Sequence, residues 1–150
     1  MTHSSAVLRM IDANANRALE GLRVCEEIAR LHLASSRHFR RLRSLRHAVA
    51  AALRQLPVTS VELLATRDSR RDVGRRAAAR RVTSLEQLLL INFQRAKEAL
   101  RTLEECSRMV APRTTAAFQA VRFRTYEVER DVLLSLASLR HSRPIRRRRP

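Results

Sequence analysis

Residues 14–27 read NANRALEGLRVCEE, and residues 92–105 read NFQRAKEALRTLEE. At an offset of 78, eight of the fourteen positions are identical: Asn14/Asn92, Arg17/Arg95, Ala18/Ala96, Glu20/Glu98, Leu22/Leu100, Arg23/Arg101, Glu26/Glu104 and Glu27/Glu105. Self-similarity at a fixed offset marks an internal repeat. Within the first copy Ala18, Leu22, Cys25 and Ala29 recur with the helical period and form one apolar stripe. Asn16, Glu20, Arg23 and Glu27 lie opposite, at i, i+4, i+7 and i+11, and the second copy repeats them as Gln94, Glu98, Arg101 and Glu105. A weaker echo follows each copy: Leu42-x-x-Leu45-Arg46-His47 answers to Phe118-x-x-Val121-Arg122-Phe123 at an offset of 76. The fold is therefore predicted as all-α, a helical bundle from two repeated helix–helix units with a pseudo-twofold axis.

Outward from the repeats, the capping signals place the remaining boundaries. The first helix is expected over Ala6–Leu33, with Ser4 or Ser5 as N-cap. The second covers Arg37–Leu56, opened by Ser35/Ser36 and stopped by Pro57. The third covers Leu85–Val110, introduced by two overlapping capping-box patterns, Thr83-x-x-Glu86 and Ser84-x-x-Gln87, and ended by Pro112. The fourth runs over Ala116–Arg140 behind Thr114/Thr115. This gives one domain, 1–140, with repeat halves 6–56 and 83–140 and a central loop segment 57–82. Residues 141–150, with the run Arg146–Arg149, read as a disordered Arg-rich tail.

Composition agrees with helix. Ala, Leu, Arg and Glu dominate, and two glycines with four prolines in 150 residues are too few for the turns of an all-β chain. The net charge of +17 suggests a polyanionic partner. Two features make nucleic acid a poor fit: Lys97 is the sole lysine among 31 basic residues, and aromatics for base stacking are only 3%. No apolar run approaches the ~20 residues of a membrane span and nothing resembles a signal peptide, so a cytoplasmic, membrane-free protein is expected. Cys25 and Cys106 lack metal-type spacing and lie on apolar faces, as buried small hydrophobes do.

The repeated polar face has two readings. Arg and Glu at i,i+3 and i,i+4 make surface ion pairs, each contributing only ~0.2–0.5 kcal/mol. The same residue types also build anion sites, where a guanidinium fork binds phosphate and a carboxylate holds Mg²⁺ or a second donor. Spacing alone leaves these open. Asn14 and Asn92 sit at the edge of the apolar stripes, where an amide must find partners. The segment Arg67-Asp68-Ser69-Arg70-Arg71-Asp72-Val73-Gly74 combines arginines, a hydroxyl and two carboxylates with a glycine, the composition of an anion-binding turn or of a plain surface loop. Neither a P-loop nor a G-x-G-x-x-G motif is present, so phosphate recognition falls to arginine side chains and helix N-termini. His47 is the one histidine adjoining a repeated motif.

The stretch Ile11–Glu27 resembles the opening motif of the α-helical domain often fused ahead of thiamine-phosphate synthase. Leu45-Arg46-His47, Arg67-Asp68 with Asp72-Val73-Gly74, and Asn92–Glu105 are similar to that domain's later motifs, in the same order and over residues 8–130. The family is a kinase of hydroxymethylpyrimidine phosphate, so the resemblance implies ATP- and Mg²⁺-dependent formation of the pyrimidine diphosphate used in thiamine biosynthesis, here in a stand-alone chain. Residues 75–81 depart from it, being only Arg and Ala where a mixed polar segment with an acid is expected.

The resemblance implies catalytic roles for Arg23, Arg101, Glu20, Glu98 and Asp72. Asn14, Asn16, Arg17, Arg46, His47, Arg67, Asp68, Asn92, Gln94 and Arg95 would bind substrate and ATP, and Glu27 and Glu105 would hold Mg²⁺. The two equivalent faces would then serve two phosphate-bearing ligands. Expected partners are the small-molecule phosphate substrate, thiamine-phosphate synthase and a second copy of the chain. The alternatives are a non-catalytic module that binds a phosphopyrimidine or docks onto the synthase and, less well supported, an Arg-rich nucleic-acid-binding helical protein.

Overall fold

A computed structural model describes residues 4–141, with the side chains of residues 4–139; of the expected tail, His141 ends the last helix and residues 142–150, with the Arg146–Arg149 run, lie outside the described residues. The elements are α1 (Ser5–Leu31), α2 (Ser36–Leu53), α3 (Ser60–Thr66), α4 (Leu85–Val110), a 3₁₀ turn (Pro112–Thr114) and α5 (Thr115–His141). Among the described residues there is no strand, and no helix is long and apolar enough to cross a membrane.

The bundle is all-α, and its four long helices are those the periodicity predicts. α1 stops at Leu31 rather than Leu33 because Ala34 turns the chain with φ 48°, bringing the Leu33 and Ser35 amides onto the carbonyls of Ile28 and Ala29, each at 3.1 Å. Ser4 occupies the N-cap of α1 without making a side-chain cap bond. Ser35 caps α2, accepting from the His38 amide at 3.2 Å. α2 ends at Leu53, and the Gln55 and Leu56 amides close a tighter turn onto Ala52 and Leu53 before Pro57. At α4, Ser84 accepts from the Gln87 amide at 3.1 Å, while Gln87 returns its bond to the Thr83 amide at 2.9 Å.

The central segment is not wholly loop. Thr59 and Glu62 form a full capping box that starts α3, with the Thr59 amide donating to Glu62 at 2.6 Å and the Glu62 amide to Thr59 Oγ1 at 3.2 Å.

α1 and α4 pack antiparallel at the centre. Cys25 Sγ lies 3.9 Å from the Leu89 carbonyl, and Gly21 faces Asn92 and Ala96, the repeat counterparts of Asn14 and Ala18. A Cβ on Gly21 would stand 2.9 Å from the Asn92 carbonyl oxygen, so only glycine lets the backbones approach this closely. α2 and α5 flank this pair and close the core, in which Leu22, Leu42, Leu45, Phe93, Leu100, Phe118 and Val132 are fully buried. Each such side chain contributes about 1.5–3 kcal/mol by leaving water. Cys25 and Cys106 are buried free thiols whose pKa values burial pushes up, as packing residues should show.

Candidate functional site

The repeated signature makes two matching ion-pair frameworks. Glu26, with no exposed surface, accepts from Arg46 Nε at 2.7 Å and Arg23 Nη1 at 2.9 Å. Its counterpart Glu104 accepts from Arg122 Nε at 2.6 Å and Arg101 Nη1 at 3.3 Å. Each framework ties its first helix to its second, which explains the Leu-Arg and Val-Arg echoes. The hydrogen bonds from Glu26 to Arg46 and from Glu104 to Arg122 hold both guanidiniums above their ordinary pKa.

Outside these lie Glu27, paired with Arg23 (3.0 Å) and Arg30 (2.9 Å), and Glu105, paired with Arg101 (3.0 Å) and Arg108 (2.8 Å). The hydrogen bond from Arg30 pulls the Glu27 carboxyl below its usual range. Both carboxylates face guanidiniums, and among the described residues no group of three or more His, Cys, Asp or Glu is placed to hold a metal ion. Asn14 and Asn92 donate to the carbonyls of Met10 (2.9 Å) and Leu88 (2.8 Å), and Arg17 donates to Asn14 at 3.2 Å. Gln94 donates to Glu98 at 2.9 Å on an exposed face of α4; Arg95 is also exposed there, as is His47 on α2.

Five of the expected residues do converge. A cleft of about 330 Å³ opens between the N-terminal half of α1 and the loop that follows α3. Asn16 and Glu20 line it from the helix; Arg67, Asp68 and Asp72 line it from the loop. Arg9, Asp12 and Ser69 complete the polar lining and were not among the expected residues. Arg67 grips Asp12 through two bonds, Nε to Oδ2 at 2.7 Å and Nη2 to Oδ1 at 2.6 Å, and this pairing raises the guanidinium pKa. Asp12 is largely buried, and Asn16 donates to its backbone carbonyl at 3.0 Å. Within the loop, Asp68 accepts from the Arg71 amide (3.3 Å) and Asp72 from the Gly74 amide (2.7 Å), turns that present both carboxylates to the cleft. A second cleft of about 390 Å³ adjoins the first, sharing Arg9, Ala13 and Asp72, and is lined further by Ala6, Met10, Asn14, Arg71 and Val73.

Arg9 and Asp12 escaped the sequence reading because it followed the repeat. Their counterparts at the offset of 78 are Gln87 and Leu90, so repetition draws no attention to them. A usable signal existed: Arg9, Asp12, Asn16 and Glu20 lie at i, i+3, i+7 and i+11, on one helical face.

The chain is 35% identical over 139 residues to the thiamine-phosphate synthase of Rhodopirellula baltica, covering 91% of this chain and 36% of that protein. It is 36% identical over 132 residues to the thiamine-phosphate synthase of a Synechocystis species (86% and 37%), and 35% identical over 130 residues to that of a Nostoc species (85% and 35%). It thus spans little more than a third of the length of these relatives. No solved structure gives a significant match. The ThiD2 family matches residues 9–131, from the first cleft residue of α1 into α5, and the chain belongs to the ThiD2 family.

Proposed function

We propose that this chain phosphorylates hydroxymethylpyrimidine phosphate to the diphosphate, with ATP and Mg²⁺, in thiamine biosynthesis. Family membership and relatives named thiamine-phosphate synthase support the biosynthetic role. The observation carrying the chemistry is the cleft, which gathers Asn16, Glu20, Arg67, Asp68 and Asp72 from two separate elements.

Phosphoryl transfer asks for positioning and charge neutralisation more than covalent participation. The cleft holds two guanidiniums, Arg9 and Arg67, against four carboxylates, Asp12, Glu20, Asp68 and Asp72, a balance of 2 − 4 = −2. A phosphate-rich nucleotide therefore needs a cation to enter. Mg²⁺ is commonly held by one or two carboxylates together with substrate phosphates, so Asp72 or Glu20 suffices without a dedicated protein cage. Bound there, the ion would supply neutralisation of the phosphate oxygens. Glu20 makes no hydrogen bond within the described residues, leaving its carboxylate to accept from the pyrimidine amine. Asn16, braced on Asp12, can orient the same ring.

The test incubates the purified chain with ATP, Mg²⁺ and the pyrimidine phosphate and follows diphosphate and ADP by phosphorus NMR. Stoichiometric formation of both supports the kinase; tight pyrimidine phosphate binding without ADP release would leave a binding module in its place.

A further inference from the structure

We infer that Arg9 is the phosphate-binding residue of this cleft and that Asp12 is a positioning residue, acting through Arg67 to hold the 67–74 loop against α1. The inference rests on the kinase reading and adds to it the residue that meets the substrate's phosphate. Arg67 is the natural anion ligand by sequence, yet its guanidinium is engaged through both Nε and Nη2 by a largely buried carboxylate. That clamp takes two of the guanidinium's five N–H groups and offsets its charge, so Arg67 offers an incoming phosphate a guanidinium already neutralised by Asp12. Arg9 is exposed and, among the described residues, has no hydrogen-bond or ion-pair partner. It stands where the two clefts meet, with the acidic lining of the first on one side and Met10, Asn14, Arg71 and Val73 of the second on the other. Of the three arginines lining these clefts Arg9 alone borders both, whereas Arg67 is clamped to Asp12 and Arg71 lies 3.9 Å from Asp68.

The internal repeat gives an independent control. The second half keeps the framework carboxylate and arginines but has Gln87 for Arg9 and Leu90 for Asp12. Leu90 is exposed among the described residues. Cation and clamp carboxylate thus occur together in one half and are replaced together in the other.

Isothermal titration of the full chain with hydroxymethylpyrimidine phosphate, and with the unphosphorylated alcohol, tests Arg9. Arg9→Ala should weaken the phosphate ester about 10- to 100-fold and Arg9→Lys less, the alcohol being unaffected, as expected for loss of a charge-assisted bond. Equal affinity of wild type and Arg9→Ala for the ester would overturn the assignment. Should wild type bind no pyrimidine, the kinase reading fails, and inorganic pyrophosphate becomes the probe. Binding lost in Arg9→Ala then keeps the anion site; binding unchanged, or none in wild type, removes it. For the clamp, Asp12→Asn should speed hydrogen exchange of the Arg71 and Gly74 amides several-fold while α2 and α5 exchange as before. It should also raise KM more than it lowers kcat. Unchanged loop exchange would refute the positioning role.

Discussion

Replacing Arg122 by Met should cost more stability than replacing its repeat counterpart Arg46, and the structure sets both magnitudes. Glu104 and Arg122 have 6% and 11% of their side chains exposed, so the pair is almost dry. Removing one member of a buried pair typically costs about 3–5 kcal/mol, because the remaining charge is stranded. Here Glu104 keeps Arg101 at 3.3 Å, but that guanidinium is 57% exposed and its attraction is screened, so about 2–4 kcal/mol is expected. Arg122 also lies over the rings of Phe123 (5.0 Å) and Tyr126 (5.9 Å), contacts the variant forfeits. Arg46 is 25% exposed, and Glu26 retains Arg23 at the shorter distance of 2.9 Å, which brings that loss to about 1–3 kcal/mol.

For a domain of this size, 1 kcal/mol moves Tm by about 3 °C, so scanning calorimetry should show drops of about 6–12 °C for Arg122→Met and about 3–9 °C for Arg46→Met. The double variants Glu104→Met/Arg122→Met and Glu26→Met/Arg46→Met should recover much of this, since no charge is left stranded. A Tm change under about 2 °C for Arg122→Met, or a larger one for Arg46→Met, would refute the framework assignment. The same variants bear on function. Arg46→Met assayed well below its own Tm should keep diphosphate formation near wild type; a collapse in turnover there would move Arg46 from framework to ligand site.

Other expectations follow from single positions. Gly21→Ala forces a Cβ to 2.9 Å from the Asn92 carbonyl, so the α1–α4 crossing must open, costing about 1–3 kcal/mol and readable as an earlier denaturant midpoint. Ala34→Gly relieves a left-handed alanine at φ 48° and should raise stability by about 0.5–1 kcal/mol in the same assay. His38 is buried between α2 and α5, its Nε2 2.8 Å from Ser135 Oγ and its Nδ1 without a partner. Burial first, then Arg37 and Arg41, push its pKa below 6.5, opposed by Asp131. The folded chain therefore binds fewer protons there than the unfolded one, so the neutral ring's contribution is present above about pH 6.5 and lost as pH falls below it. Thermal melts from pH 7.5 to 5 should show this loss, with a smaller pH slope in His38→Gln.

Where the sequence was legible, the reason is redundancy. α4 matches the expected Leu85–Val110 because a cap, an apolar period and a proline all mark the same ends. α3 was missed although Thr59-x-x-Glu62 carries a capping signal, because seven residues show no period to anchor it. The two residues lost from the end of α1 depend on Ala34 adopting a conformation that alanine rarely takes, which no propensity indicates. Asn16, Glu20, Arg67, Asp68 and Asp72 are legible as candidate residues, but their meeting in one cleft is not. The Asp12–Arg67 pair that joins helix to loop spans 55 residues of chain, and neither partner has a repeat counterpart to signal it.

Duplication itself explains why the loudest residues in the sequence are mostly scaffold. A position kept identical in both halves suits a job that both halves need. Joining a helix to its neighbour is such a job, and Glu26/Glu104 with Arg23/Arg101 perform it by the same bonds on each side. A kinase needs its two ligands to differ, one giving a phosphoryl group and one receiving it, so two equivalent faces would be the wrong instrument. Among the described residues the two halves differ after their second helices: α2 ends at Leu53 and the chain leaves through α3 to lay residues 67–74 over α1, whereas α5 runs on to His141 along α2, held by Arg41–Asp131 at 2.6 Å. The extra turns of α5 stabilise the seam, and the departure of the chain after α2 creates the cleft. The cleft thus combines residues without a counterpart, Arg9, Asp12 and the loop, with Asn16 and Glu20 from the repeated face, and the matched Arg–Glu pairs form the frame beside it.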